Sequence, residues 1–171
     1  LFITGYMPGD TLAAIGGKLA SADGPAVFIF FAFLFLGFGI KTGVFPFGRM
    51  WMPGAYASAP APAGALMAGV LEKTGVFGLL RIFLFTAAGA GPAFDGRFWG
   101  LVFLVFGALT LFIGTVQAIK QSDYFKLLAF SSIGQVGYIL FAIGAALIAA
   151  FSGEPAVAAL APFILLGGLY H

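Results

Sequence analysis

Residues 27–47 read VFIFFAFLFLGFGIKTGVFPF: fourteen apolar or glycine positions, then Lys41, Gly43 and Pro46. A bilayer core of about 30 Å is crossed by about 20 helical residues, so a stretch that starts this way predicts a membrane span. An ionisable side chain within such a span is expensive and marks a functional position. The same contrast recurs further on in ALMAGVLEKTGVFGLLR (65–81), where Glu72 and Lys73 interrupt another apolar run. Both lysines therefore read as amines near mid-membrane. Gly37, Gly39 and Gly43 surround Lys41 and Pro46 follows it, which predicts a helix that loses regular hydrogen bonding beside the lysine. Backbone freed at that depth has to be buried in protein or line a wet cavity.

The rest of the chain carries the same signature. Of its 171 residues 61% are hydrophobic and 8% charged, where soluble domains carry about 25% charge. Mean hydropathy is +1.09. The expected class is all-α, a polytopic transmembrane helical bundle with one proline/glycine-broken helix. Spans are expected at about 24–47, 62–88, 98–119, 124–151 and 155–171, the last incomplete, in a single partial transmembrane domain. The chain opens on Leu1 and stops at His171 within an apolar run, so it is expected to be an internal fragment of a longer polytopic protein.

Connections are read from their punctuation. Residues 1–7 are expected to finish an earlier helix cut at Pro8-Gly9. Asp10-Thr11 then offers a cap for a short helix through Leu12, Ile15 and Leu19, either interfacial or a plain connector. Between Gly48 and Pro62 the sequence GRMWMPGAYASAPAP places Arg49, Trp51 and Tyr56 as interface anchors, with prolines that bar one continuous helix. Basic residues outside the spans, Arg49, Lys120 and Lys126 against Lys18 and Arg97, put the first set on the cytoplasmic side by a margin of one. The scattered charges, net +2, form no nucleic-acid footprint.

Two amines on neighbouring helices with water between them would repel when both are charged, which is the minimal physics of a proton relay. The alternative is that each snorkels to an interface or pairs permanently with an acid. Glu72 precedes Lys73 directly, and adjacent helical side chains point about 100° apart. Its partner is therefore expected on another helix, with Glu72 either a counter-ion to Lys73 or a second titrating group. Arg81 stays protonated and serves as fixed charge or anchor. Ser131, Ser132, Gln135 and Tyr138 could hold ordered water or make interhelical hydrogen bonds. Asp123 suits a helix N-terminus. His171, the only histidine, is either a structural hydrogen-bonding group or a proton carrier. No metal-ligand cluster, phosphate-binding glycine loop or nucleophile triad stands out, so no catalytic site and no cofactor are expected in this chain.

Taken together, KTGVFPFGRMWMPGAYASAPAPAGALMAGVLEKTGVFGLLR (41–81) and QSDYFKLLAFSSIGQVGYI (121–139) resemble the antiporter-like subunit family. It comprises proton-pumping membrane subunits of NADH:quinone oxidoreductase, large subunits of multisubunit Na+/H+ antiporters, and relatives in membrane-bound hydrogenases. The resemblance runs from about Phe33 to His171. It implies about fourteen transmembrane helices with two inverted repeats, of which this chain would hold the end of one and the start of the next. It further implies proton-channel roles for Lys41 and Lys73, and matches His171 to the first histidine of a histidine-rich helix. Partners would be other membrane subunits, the bilayer and protons, with Na+ as a second candidate ion, in the inner or cytoplasmic membrane of a prokaryote. Electron transfer would belong to other subunits. Gly48, Gly54 and Tyr56 depart from the family pattern, and Glu72 is not a usual feature. A stand-alone transporter of a small solute and a purely structural membrane subunit are the competing readings.

Overall fold

A computed structural model describes residues 12–86 and 91–170. Among them no strand occurs, and four helical stretches are long and apolar enough to cross a membrane: Gly24–Ser58, Ala61–Leu84, Gly96–Ile119 and Tyr124–Ala150. The chain is an integral membrane protein. A short helix α1 (Leu12–Ala20) leads into α2 (Gly24–Thr42), where Pro25 occupies the first turn and costs no internal hydrogen bond. The cap expected at Asp10-Thr11, the helix end at residues 1–7 and His171 lie outside the described residues.

The break falls where glycine and proline predict it. Gly43 closes α2 at φ 87°, a left-handed conformation that side chains resist, and both its amide and that of Val44 donate to Gly39 O. A cis Phe45-Pro46 peptide follows. The helix then resumes as α3 (Phe47–Ser58), which carries Pro53 in its interior. Over Gly48–Pro62 the chain is mostly helical but not one continuous helix, as its prolines predict: α3 ends at Ser58 and, with Pro60 at the N-cap and Pro62 in the first turn, a new helix starts at Ala61.

The second long stretch is not uniform either. It runs as α4 (Ala61–Leu66), a π turn (Met67–Leu71), α5 (Glu72–Leu80) and a second π turn (Arg81–Thr86). In the first π turn the Glu72 amide reaches back five residues to Met67 O. Such an inserted residue re-aims the side chains after it, and π turns inside helices are frequent at functional sites.

Helices α6 (Gly96–Ile119) and α7 (Tyr124–Ala150) form an antiparallel pair, each capped by an aspartate. Asp123 performs the capping expected of it, accepting from the Phe125 and Lys126 amides. Glycines on the facing sides let the two backbones approach: a methyl added to Gly107 would lie 2.5 Å from Phe141 N, and one on Gly114 2.6 Å from Gly134 N. This is close small-residue packing, which lets membrane helices associate without a hydrophobic driving force. The α7 helix is the most buried of the four spans and also packs on α3 and on α9 (Ala161–Leu169), which follows the single turn α8 (Pro155–Ala158). At one end Arg97 of α6 donates to Phe151 O at 2.8 Å and to Ser152 O, tying down the end of α7. Beneath this clasp, Phe31, Phe35, Phe83, Phe94, Trp99 and Phe103 build an aromatic core, with Phe31 and Phe94 at 4.6 Å and Phe83 and Phe103 at 4.8 Å between ring centroids.

Candidate functional site

The unwound segment between α2 and α3 is held by side chains from outside it. Phe45 N donates to Thr110 Oγ1 of α6 at 3.0 Å, and Trp51 Nε1 donates to Ile40 O at 3.0 Å. Thr110 is fully buried. Its hydroxyl thereby supplies the acceptor that a backbone amide freed at membrane depth requires. The sequence reading missed Thr110, since one threonine within an apolar helix carries no sign of the distant backbone it serves.

Lys41 stands in the last turn of α2, two residues before the cap. Its neighbour Thr42 is buried and bonds back to Phe38 O and Gly39 O. Helix α5 crosses at this level. A methyl on Gly75 would meet the Thr42 methyl at 2.5 Å and Lys41 Cγ at 3.5 Å. Lys41 is therefore in contact range of a residue only two positions from Lys73, although the two are 32 apart in sequence. The bundle leaves Lys41 exposed and Lys73 half-buried.

Lys73 opens onto a cavity of about 390 Å³ that it shares with Gln135 and Ile139 of α7 and Leu169 of α9. A second, open cavity of about 460 Å³ lies against α6 and α7, lined by Thr115, Ser131, Gln135 and Tyr138 among others. Gln135 lines both. Leu169 is two residues before His171.

Glu72 faces the other way. It is 1% exposed, and its Oε1 accepts from the Tyr56 hydroxyl of α3 at 2.5 Å. Ser132 of α7 also interacts with that hydroxyl. Tyr56 packs with Met52, Ala129, Phe130 and Ile133 in a second buried cluster. The expectation that Tyr56 anchors at an interface is therefore corrected: it is 2% exposed, because α3 continues past Pro53 and turns that face onto α7. The structure thus separates the predicted polar residues into two groups, Lys73 with Gln135 and Ser131 around the cavities, and Glu72 with Tyr56 and Ser132 between α3, α5 and α7.

Comparison with known proteins matches residues 10–164 to a family described as NADH:quinone oxidoreductase/Mrp antiporter, TM. Hydrogenase-4 component B of Escherichia coli (strain K12) is 36% identical over 82% of this chain and 20% of its own length. Formate hydrogenlyase subunit 3 of the same organism is 37% identical over 80% of the chain and 21% of its own length. NADH-quinone oxidoreductase subunit N of Desulforudis audaxviator (strain MP104C) is 34% identical over 86% of the chain and 28% of its own length. The chain spans under a third of each of these relatives.

Proposed function

From the premise that this chain belongs to the NADH:quinone oxidoreductase/Mrp antiporter transmembrane family, we propose that it is part of a subunit that moves protons, or exchanges a cation for protons, across an energy-transducing membrane. Lys41 and Lys73 are the proton carriers and His171 continues the route, with Ser131 and Gln135 lining it. The subunit works within an assembly of other membrane subunits in a prokaryotic inner membrane. Its relatives named as components of hydrogenase-4, formate hydrogenlyase and NADH-quinone oxidoreductase support that setting.

One observation carries the reading. Lys73 shares a cavity with Gln135 and Leu169, while Gly75, two positions further along the same helix, packs against Lys41. Two amines on crossing helices, one opening onto space lined by an amide, is the arrangement a water-mediated transfer needs.

The test is Lys73→Ala in the full-length subunit. Assembly retained with proton flux down about 10²-fold, the lower end of what a positioned proton-transfer group contributes, supports the route. Unchanged flux in an assembled complex refutes it and leaves the lysine structural.

A further inference from the structure

The Glu72 carboxyl has one satisfied oxygen and one that is not. Oε1 takes the Tyr56 hydroxyl at 2.5 Å, whereas Oε2 is buried with no hydrogen-bond partner among the described residues. A buried polar atom without a partner costs about 1–3 kcal/mol, more for a charged group. A permanent counter-ion would have its second oxygen occupied by the cation it serves. A merely structural hydrogen-bonding group would not need to be ionisable, and glutamine would serve as well.

We propose that Glu72 is a proton-exchanging site, in which the Tyr56 hydroxyl holds Oε1 in place and Oε2 is the atom that gains and loses the proton. The chemistry of Oε2 rests on the geometry above. Its purpose rests on the transport reading of Lys73.

The groups that act on this carboxyl come from three directions. Tyr56 faces it from α3, Ser132 approaches the Tyr56 hydroxyl from α7, and the Lys73 charge acts on it from its own helix. The apolar Met52, Phe130 and Ile133 enclose the Tyr56 side. Among the described residues the cation that acts on it is Lys73, which can itself give up a proton, unlike a guanidinium.

The exchange balances without moving net charge. In one form Glu72 is a carboxylate and Lys73 an ammonium. In the other an Nζ–H bond has broken, an Oε2–H bond has formed, and the pair is a carboxylic acid beside an amine. Both forms are neutral overall, which matters where an isolated buried charge is costly. Because side chains at adjacent positions diverge by about 100°, the transfer requires one bridging water, which would accept a proton from Nζ as it releases another to Oε2. Tyr56 keeps Oε1 fixed in both forms, since a hydroxyl can donate to a carboxylate or to the carbonyl oxygen of the acid. Glu72 thus gives Lys73 somewhere to put a proton on the far side from the Gln135 cavity.

Infrared difference spectroscopy on the full-length subunit in its assembled complex reads this directly. Spectra taken across pH and during turnover are expected to show a protonated-carboxyl C=O band that rises and falls and shifts in D2O. Glu72→Gln removes it. Tyr56→Phe keeps it but moves it to higher frequency, because the carbonyl loses its donor. The proposal is overturned if Glu72→Gln removes no such band, which means a permanent carboxylate, or if the band is constant across pH and turnover, which means a permanently neutral acid. Should Glu72→Gln fail to assemble, Tyr56→Phe decides: an unshifted band sinks the assignment. A complex with Lys73→Ala that still moves protons would defeat the transport reading, whereas the Glu72 band is read in the complex with Lys73 in place and does not depend on that flux, so the two failures are distinguishable.

Discussion

Replacing Thr110 by Val isolates what the broken helix needs from its neighbour. The two side chains have nearly the same shape, so the change removes an oxygen and adds a methyl without opening a cavity. Phe45 N then loses its acceptor at 3.0 Å in a part-buried setting, against a fully buried Thr110. An orphaned buried amide costs about 1–3 kcal/mol, and the added methyl returns about 0.8 kcal/mol of burial. The hydroxyl's own donation to Phe106 O, at 2.5 Å, adds little, because that carbonyl lies within the helical ladder of α6. The net is a destabilisation of up to about 2 kcal/mol, concentrated at residues 43–46. Thr115→Val is the matched control, since its hydroxyl only bonds back to Leu111 O of its own helix and its loss should fall within about 0.5 kcal/mol of zero. Amide hydrogen exchange at Phe45 in the full-length subunit is the direct readout. A change of up to about 2 kcal/mol in local opening is a factor of up to about 30 in exchange rate. Exchange at Phe45 no faster in Thr110→Val than in Thr115→Val would refute the claim that Thr110 holds the break.

Two further substitutions test the packing around the site. Gly107→Ala drives a methyl to 2.5 Å from Phe141 N and 3.0 Å from Gly137 O, atoms of a helix backbone that cannot turn aside. It should cost about 1–3 kcal/mol in denaturant titration, whereas Gly37→Ala, with nothing within 4 Å of the added carbon, should be neutral or stabilising; equal effects would contradict backbone-to-backbone contact of α6 and α7. Trp51→Phe removes the indole bond to Ile40 O and should cost about 0.5–1.5 kcal/mol, with faster exchange confined to the end of α2. No difference from wild type at that end would mean the carbonyl is served in another way.

How much of this was readable in the chain depends on the range over which each signal acts. Apolar run length is local, so the spans are visible from residues such as 27–40 alone. The break is local too: Gly43 and Pro46 impose it whatever surrounds them. The Asp123 cap acts within three residues. By contrast, Tyr56 and Glu72 are sixteen positions apart in sequence, with two prolines and a π turn between them. Their meeting depends on α3 resuming after the break and on one inserted residue at 67–71 re-aiming Glu72. Neither the resumption nor the insertion has a residue pattern of its own. Tyr56 therefore read as an anchor, because an aromatic among prolines fits a membrane interface equally well until α3 is known to be a helix. Thr110 and Phe45 are 65 positions apart, and nothing in VFGALTLFIG distinguishes that threonine from one that merely bonds back along its helix.

Glycine, rather than charge, does most of the positioning at the site. At Gly75 the α5 backbone approaches Lys41 and Thr42, and at Gly78 it leaves room for the Phe38 ring. A side chain at either position would push α5 off α2 and separate the two lysines, though neither lysine would itself have changed. The proposed relay thus depends on residues that cannot carry a proton. A Gly75→Val change should therefore lower proton flux while leaving every titratable group in place. Flux that survives with α5 displaced from α2, as a cross-link between cysteines placed at Thr42 and Val76 would report, would show that the lysines do not act through their shared crossing.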